Sequence, residues 1–201
     1  MIVLDNQIMN TASKEYSDYY LAKYQKWWRF LLPVEIPFKY FARCICKGKT
    51  LDVGCGPGRY LSFLSDATGV DHNPGFVRYA RTRGFKVYSS EDFDKNFSHH
   101  LNKFDTLLFS HILEHMEFHL ACKFVEKYLP ALKTGGRIVI IVPHGICYHN
   151  DPSHICYLDC KMIKELASAN NLNLIKEMYH PFPEWLSRWI VNDAAFILKQ
   201  K

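Results

Sequence analysis

Residues 51–58 read Leu51-Asp52-Val53-Gly54-Cys55-Gly56-Pro57-Gly58, and this stretch decides the fold. A strand is expected over Thr50–Val53 and a helix over 60–65, so the glycines occupy a strand-to-helix turn. Without Cβ atoms such a turn bends sharply and lets a ligand approach the backbone, while the helix start offers free N–H groups. A lone Gly-x-Gly carries little, so its neighbours decide. Asp52 stands two residues before the first glycine, and a second acid, Asp71, ends the next expected strand, where a carboxylate is placed to accept both hydroxyls of a ribose. The dinucleotide fingerprint is Gly-x-Gly-x-x-Gly, usually without the upstream acid, so a nicotinamide dinucleotide is the minor alternative.

Outward from this turn the chain alternates. Strands are expected at 68–71, 86–89, 106–109, 137–142, 172–179 and 194–198, with Pro143 ending the fifth of the seven. Helices are expected at 74–83, 117–132 and 159–170. Strands alternating with helices of this length imply a parallel sheet covered on both faces. Ahead of it, residues 14–32 read as a helix in which Tyr20, Tyr24, Trp27, Trp28 and Leu31 share one arc, with Lys26 and Arg29 opposite. Pro33 and Pro37 close it and begin a second short helix through about Cys46.

The composition fits one domain. The chain has 201 residues, 48% apolar and 22% charged, which excludes disordered, collagen-like and low-complexity classes. The N-terminus carries no basic, apolar or cleavage-like signal, and the longest clean apolar run, 138–142, is far short of the ~20 residues of a membrane span. Seven cysteines form no disulfide framework, so reduced thiols and a cytoplasmic protein are expected. With no repeat or linker, the division expected is a helical cap at 1–48 and one compact unit at 49–201.

Over about residues 49–200 the sequence resembles the class I S-adenosylmethionine-dependent methyltransferases. The acid-preceded Gly-x-Gly-x-Gly of 51–58 looks like their first motif, and Gly69-Val70-Asp71 like their ribose motif. Residues 104–115 (FDTLLFSHILEH) look like the fourth motif, and 132–140 (LKTGGRIVI) like the approach to the fifth strand. The resemblance implies an α/β, Rossmann-like three-layer sandwich, its seven-stranded sheet mostly parallel with an antiparallel last strand. It implies that Gly54, Cys55, Gly56 and Gly58 wrap the methionine part of S-adenosylmethionine and that Asp52 anchors its ammonium. Asp71 would hold the ribose, with His72 and Asn73 beside the adenine and Ser90, Glu91 or Asp92 near its amino group. Ser110 and His111 would line the methyl-transfer side.

Methyl transfer to oxygen often needs a general base, and ten histidines supply candidates. His111 and His115 follow the fourth strand and His144 the fifth, while His154 lies in Asp151-Pro152-Ser153-His154, which resembles a loop of quinone-biosynthesis-like, small-molecule methyltransferases. His154, His144 and His115 are the catalytic candidates, each weighed against an ordinary structural role. His111-x-x-Glu114-His115 also spells an inverted zinc-protease pattern, but it starts at a strand end rather than on a long helix. The His/Cys-rich stretch 144–160 matches no common zinc template, so no metal is expected.

No Asn/Asp-Pro-Pro-Tyr motif or Pro-Cys pair marks a nucleic-acid base enzyme, which leaves a small molecule: a sugar, quinone, lipid-linked intermediate or secondary metabolite, methylated on a hydroxyl oxygen. A non-catalytic protein that binds the same cofactor is the alternative. Residues 19–49 hold seven Lys/Arg against Glu35 alone, a net +6 in a chain of net +5. The basic, aromatic cap would therefore shape a pocket for an anionic acceptor, pack on the sheet, or rest on a membrane surface. Residues 181–189, with Trp185 and Trp189, would form a wall of the acceptor site or a subunit contact.

Overall fold

The computed structural model describes residues 13–24, 35–149, 151 and 153–201. Trp27, Trp28, Leu31 and the rest of the expected first helix beyond Tyr24 lie outside the described residues.

Strand β1 (Thr50–Val53) is buried at all four positions, as a strand covered on both faces must be. It pairs in parallel with β2 (Ala67–Asp71) on one side and β4 (Phe104–Ser110) on the other. β3 (Val87–Ser89), β5 (Leu132–His144), β6 (Leu172–His180) and β7 (Asn192–Gln200) complete a seven-stranded sheet of order β3-β2-β1-β4-β5-β7-β6. β7 lies between β5 and β6 and runs antiparallel to both; the other pairings are parallel. This is the expected sheet.

The period of two along the central strands builds the layers. Leu107, Phe109, Ile138, Ile140, Phe196 and Leu198 point to one face, where they pack with α5 (Phe118–Tyr128) and α6 (Cys160–Ala169). Leu108, Val139, Ile141, Ala195 and Ile197 point to the other and meet Ala42 and Ile45 of α2 (Glu35–Ile45), with Tyr60 and Phe63. Each fully buried side chain of this size contributes about 1.5–3 kcal/mol. α3 (Pro74–Thr82) covers β2 and β3 through Val77 and Ala80. α1 (Lys14–Tyr24) reaches α3, with the rings of Tyr16 and Tyr20 edge-on to Phe76 at 6.0 and 5.7 Å. Among the described residues no helix is long and apolar enough to cross a membrane.

Two local expectations fail, and one element was not anticipated. No regular helix forms at 60–65: Gly54, Gly56 and Gly58 all have positive φ, and only a single turn follows, held by Ser62 N–H to Gly58 O and Leu64 N–H to Tyr60 O. So few residues separate Gly58 from β2 that helix propagation cannot offset nucleation. Pro143 does not end β5, which runs on to His144. Pairing with β4 stops at Ile141, so beyond it that side of β5 is an edge, where a missing N–H is tolerated. Finally, residues 90–92 open a short helix, α4 (Ser90–Lys95), capped by Ser89 Oγ accepting the Asp92 N–H at 3.0 Å. That Ser-x-x-Asp spacing was a readable start signal.

Candidate active site

The strand order reverses between β1 and β4, the crevice where open α/β sheets place their ligands. A cavity of about 680 Å³ opens there, at the carboxyl ends of β1, β2 and β4. The glycine turn forms its floor. The N–H groups of Gly54 and Cys55 both donate to Val70 O, at 2.8 and 3.1 Å, which fixes the turn to β2. The three glycines differ in what they leave open. A Cβ on Gly54 would collide with Ile112 and one on Gly58 with Phe85, whereas one on Gly56 meets nothing within 4 Å. Gly56 is thus the position at which the backbone itself is presented to the cavity.

Two acids flank the turn. Asp71, 5% exposed, accepts the Gly56 N–H at 2.7 Å on one oxygen and the Asn73 N–H at 2.8 Å on the other. Burial raises its pKa, opposed by these two N–H groups. Asp52 is 1% exposed, and neither carboxylate oxygen has a hydrogen-bond partner among the described residues. Burial first, and the neighbouring Asp71 charge second, push its pKa up to about 8. An orphaned carboxylate beside a bare backbone cradle fits a ligand that carries an ammonium group and hydroxyls, as S-adenosylmethionine does.

On the opposite wall, His111 stands just after β4 with φ of 52°, an uncommon conformation for a residue with a Cβ. Its Nε2 lies 3.3 Å from Asp193 and its Nδ1 3.6 Å from Glu114. Burial lowers the imidazole pKa, but Asp193 and Glu114 outweigh it and raise the value to about 10. At neutral pH His111 is a cation and a hydrogen-bond donor rather than a base.

The short 3₁₀ turn Leu113–His115 then brings His115 against His154, 39 residues later, with ring centroids 4.9 Å apart. The Nδ1 of His154 faces Tyr148 O at 2.8 Å, and that of His115 faces Ser153 O at 3.2 Å. A carbonyl only accepts, so both Nδ1 atoms carry the hydrogen, and in the neutral rings the lone pair is on Nε2. Ser153 is itself held by Asp151, at 2.6 Å through its hydroxyl and 2.9 Å through its N–H.

Of the residues singled out from sequence, Asp52, Gly54, Cys55, Gly56, Asp71, His72, Ser90, Ser110, His111, His115 and His154 line this one cavity. The others do not. Gly58 faces Phe85. Asn73 caps α3, accepting the Gly75 and Phe76 N–H groups and donating to Ser13 O. Glu91 lies on the exposed outer side of α4, and Asp92 is 3.8 Å from Arg81. His144 follows Pro143, which lines the cavity, and alternation along β5 turns it to the other face, where Nδ1 meets the Tyr157 hydroxyl at 2.9 Å. Trp185 and Trp189 are each 67% exposed and stand outside the lining. Tyr16, Tyr20, Tyr60, Tyr128 and Asp193 line it without having been singled out as site residues. The aromatic density of the cap was the only sequence signal for the first two, and Asp193 had none.

Residues 51–140 match the family model described as a methyltransferase domain. An uncharacterised protein of Methanocaldococcus jannaschii is 32% identical over 126 residues, 61% of this chain and 58% of that protein. The trans-aconitate 2-methyltransferase of Rhodopseudomonas palustris is 29% identical over 115 residues, 53% of this chain and 42% of that protein. The chain thus spans about half the length of these curated relatives. Among solved structures, a SAM-dependent methyltransferase from Archaeoglobus fulgidus superposes with a TM-score of 0.67 at 19% identity, covering 91% of this chain and all of that one. Residues 51–140 are thus similar to methyltransferase domains, and the chain shares its fold with a solved S-adenosylmethionine-dependent methyltransferase.

Proposed function

We propose that this protein transfers a methyl group from S-adenosylmethionine to a hydroxyl oxygen of a small-molecule acceptor. The observation that carries the reading is the pairing, in one cavity, of the unpartnered buried Asp52 carboxylate with the Gly56 cradle tied to Asp71. When bound, the cofactor supplies a methyl group already activated on a sulfonium sulfur. The protein's task is then mostly alignment, and holding the reactants in line supplies several kcal/mol, of the ~7–11 kcal/mol available to ideal proximity.

In this reading Asp52 receives the ammonium, Gly54, Cys55 and Gly56 back the methionine part, and Asp71 accepts the ribose hydroxyls. His72 and Ser90 border the adenine, and Ser110 and His111 face the transfer point. His111, held as a cation by Asp193 and Glu114, sets a positive charge beside the acceptor or its anionic substituents. His115 and His154 bring the Nε2 lone pairs on that side. Residues 1–48 act as a cap on a domain of 49–201, through Tyr16 and Tyr20 on the cavity wall and Ala42 and Ile45 in the core. The basic cap and the relative named for trans-aconitate favour an anionic acceptor.

Calorimetry with S-adenosylhomocysteine and with NAD tests the cofactor half: heat only with the first is expected, and the reverse overturns the reading. Mass-spectrometric detection of S-adenosylhomocysteine over a panel of hydroxylated metabolites tests the transfer. Cofactor binding with no turnover across that panel would mark a binding protein instead.

A further inference from the structure

Glu114 is wholly buried, yet neither of its carboxylate oxygens has a hydrogen-bond partner among the described residues. A buried carboxylate without hydrogen bonds is costly to keep, so its neighbours indicate what it is kept for. The Nε2 of His154 lies 4.0 Å from its Oε1, and one ligating atom each from Glu114, His115 and His154 falls within 4.8 Å of the others. Asp151 Oδ2 is also 4.0 Å from His154 Nε2.

The surroundings of the two imidazoles match what metal-binding histidines require. Each has its Nδ1–H engaged by a backbone carbonyl, Tyr148 O or Ser153 O, which fixes the ring and leaves Nε2 bare. Ser153, locked by Asp151, supplies a second contact to His115 Nδ1 at 3.1 Å. Two imidazole nitrogens and one carboxylate, with open positions toward a cavity, suit first-row divalent ions from manganese to zinc better than calcium. Ligand atoms around one such ion stand roughly 3.3 Å apart, so closure needs side-chain shifts of about 1 Å.

We propose that Glu114, His115 and His154 hold a divalent transition-metal ion, with Asp151 as a further ligand, at the acceptor end of the cavity. This departs from the metal-free expectation drawn from the sequence, where no zinc template spans positions 115 and 154. The ion's exposed coordination positions point to an acceptor that ligates through oxygen, and a hydroxyl bound there is acidified by the ion rather than by a free imidazole. That role rests on the methyl-transfer reading; the binding does not. The competing account leaves the Glu114 charge balanced by the His111 imidazolium alone, 3.6 Å away.

The test uses the full chain stripped with a chelator and titrated with Co²⁺ alone, followed by visible absorbance, and with Mn²⁺ and Zn²⁺ by calorimetry. One ion per chain is expected, with affinity lowered at least tenfold in Glu114→Gln and His154→Ala and unchanged in His119→Ala. Ser153→Ala, which touches no ion directly, lowers affinity by about tenfold through His115. Circular dichroism verifies folding; if Glu114→Gln does not fold, His154→Ala and Ser153→Ala decide. Absence of one-to-one binding at millimolar ion, or affinity untouched by these variants, overturns the proposal. S-adenosylhomocysteine binding measured on the same samples separates the two readings: its loss with ion binding intact sinks only the cofactor assignment, and the converse only the metal site.

Discussion

The Asp71 carboxylate at the end of β2 accepts the Gly56 backbone N–H at 2.7 Å, so the acid proposed to receive the ribose also holds the glycine turn in shape. Its second oxygen accepts from Asn73 N–H at 2.8 Å, which leads directly into α3. On the proposed binding mode, ligand binding and local structure are coupled through one side chain.

Asp71→Ala should therefore do double damage. Two buried N–H groups lose their acceptor, at about 1–3 kcal/mol each, and affinity for S-adenosylhomocysteine falls at least tenfold. Asp71→Asn keeps one acceptor oxygen and should recover most of the stability but little of the affinity. Thermal denaturation and calorimetry on the two variants read these effects separately, and parallel losses in both would contradict the coupling.

Asp52 makes cofactor binding depend on pH. Its native pKa of about 8 lies above the ordinary 3.8, so in the unliganded protein it is protonated at pH 6–7. The raised value gives stability that is full below pH 4 and lost as pH rises toward 8. Pairing with an ammonium requires the carboxylate, so binding at pH 6.5 should release about one proton, and affinity should rise by up to tenfold per pH unit until about pH 8. Asp52→Asn should flatten both the affinity and the stability slope over this range. Calorimetry in buffers of different ionisation enthalpy counts the proton, and zero release would contradict the assignment.

The glycines of the turn should separate into a folding residue and a ligand residue. Gly54→Ala places a Cβ on Ile112 at a φ of +78°, and should cost about 1–2 kcal/mol for the backbone alone, plus the collision. Gly56→Ala meets no atom within 4 Å but sits at a φ of +52°, so it should cost only the backbone strain of about 1–2 kcal/mol, without a collision, while losing cofactor affinity. A Gly56→Ala protein that binds as tightly as the parent would show that the cradle is not ligand space.

Asn73 should behave as a cap rather than an adenine contact. Asn73→Ala removes the acceptor for the Gly75 and Phe76 N–H groups and the tie to Ser13, at a cost of about 1–2 kcal/mol. Asn73→Asp keeps the cap and should restore most of the stability, although it gives up the donor to Ser13 O. Affinity for S-adenosylhomocysteine, compared at a temperature where both variants are folded, should change far less than in Asp71→Ala.

What the sequence determined by itself was the frame. An acid, a Gly-x-Gly-x-Gly turn and alternating strands specify a parallel sheet with a ligand crevice, because turn geometry and side-chain period are local properties. The seven strands alternating with helices and the placing of Asp52 and Asp71 at the strand ends were legible on that basis, whereas the antiparallel last strand and the class came from the family resemblance alone. Only the tertiary structure decided which histidines belong together. His144 and His154 look alike in a His/Cys-rich stretch, yet alternation along β5 carries one away from the cavity while the loop after it returns the other to His115. The unpartnered buried state of Glu114 and the cationic state of His111 were likewise beyond sequence. Both depend on what lies within about 4 Å across the fold, on Asp193 from β7 and His154 from a distant loop, and desolvation with Coulomb attraction acts on spatial neighbours, whatever their separation along the chain.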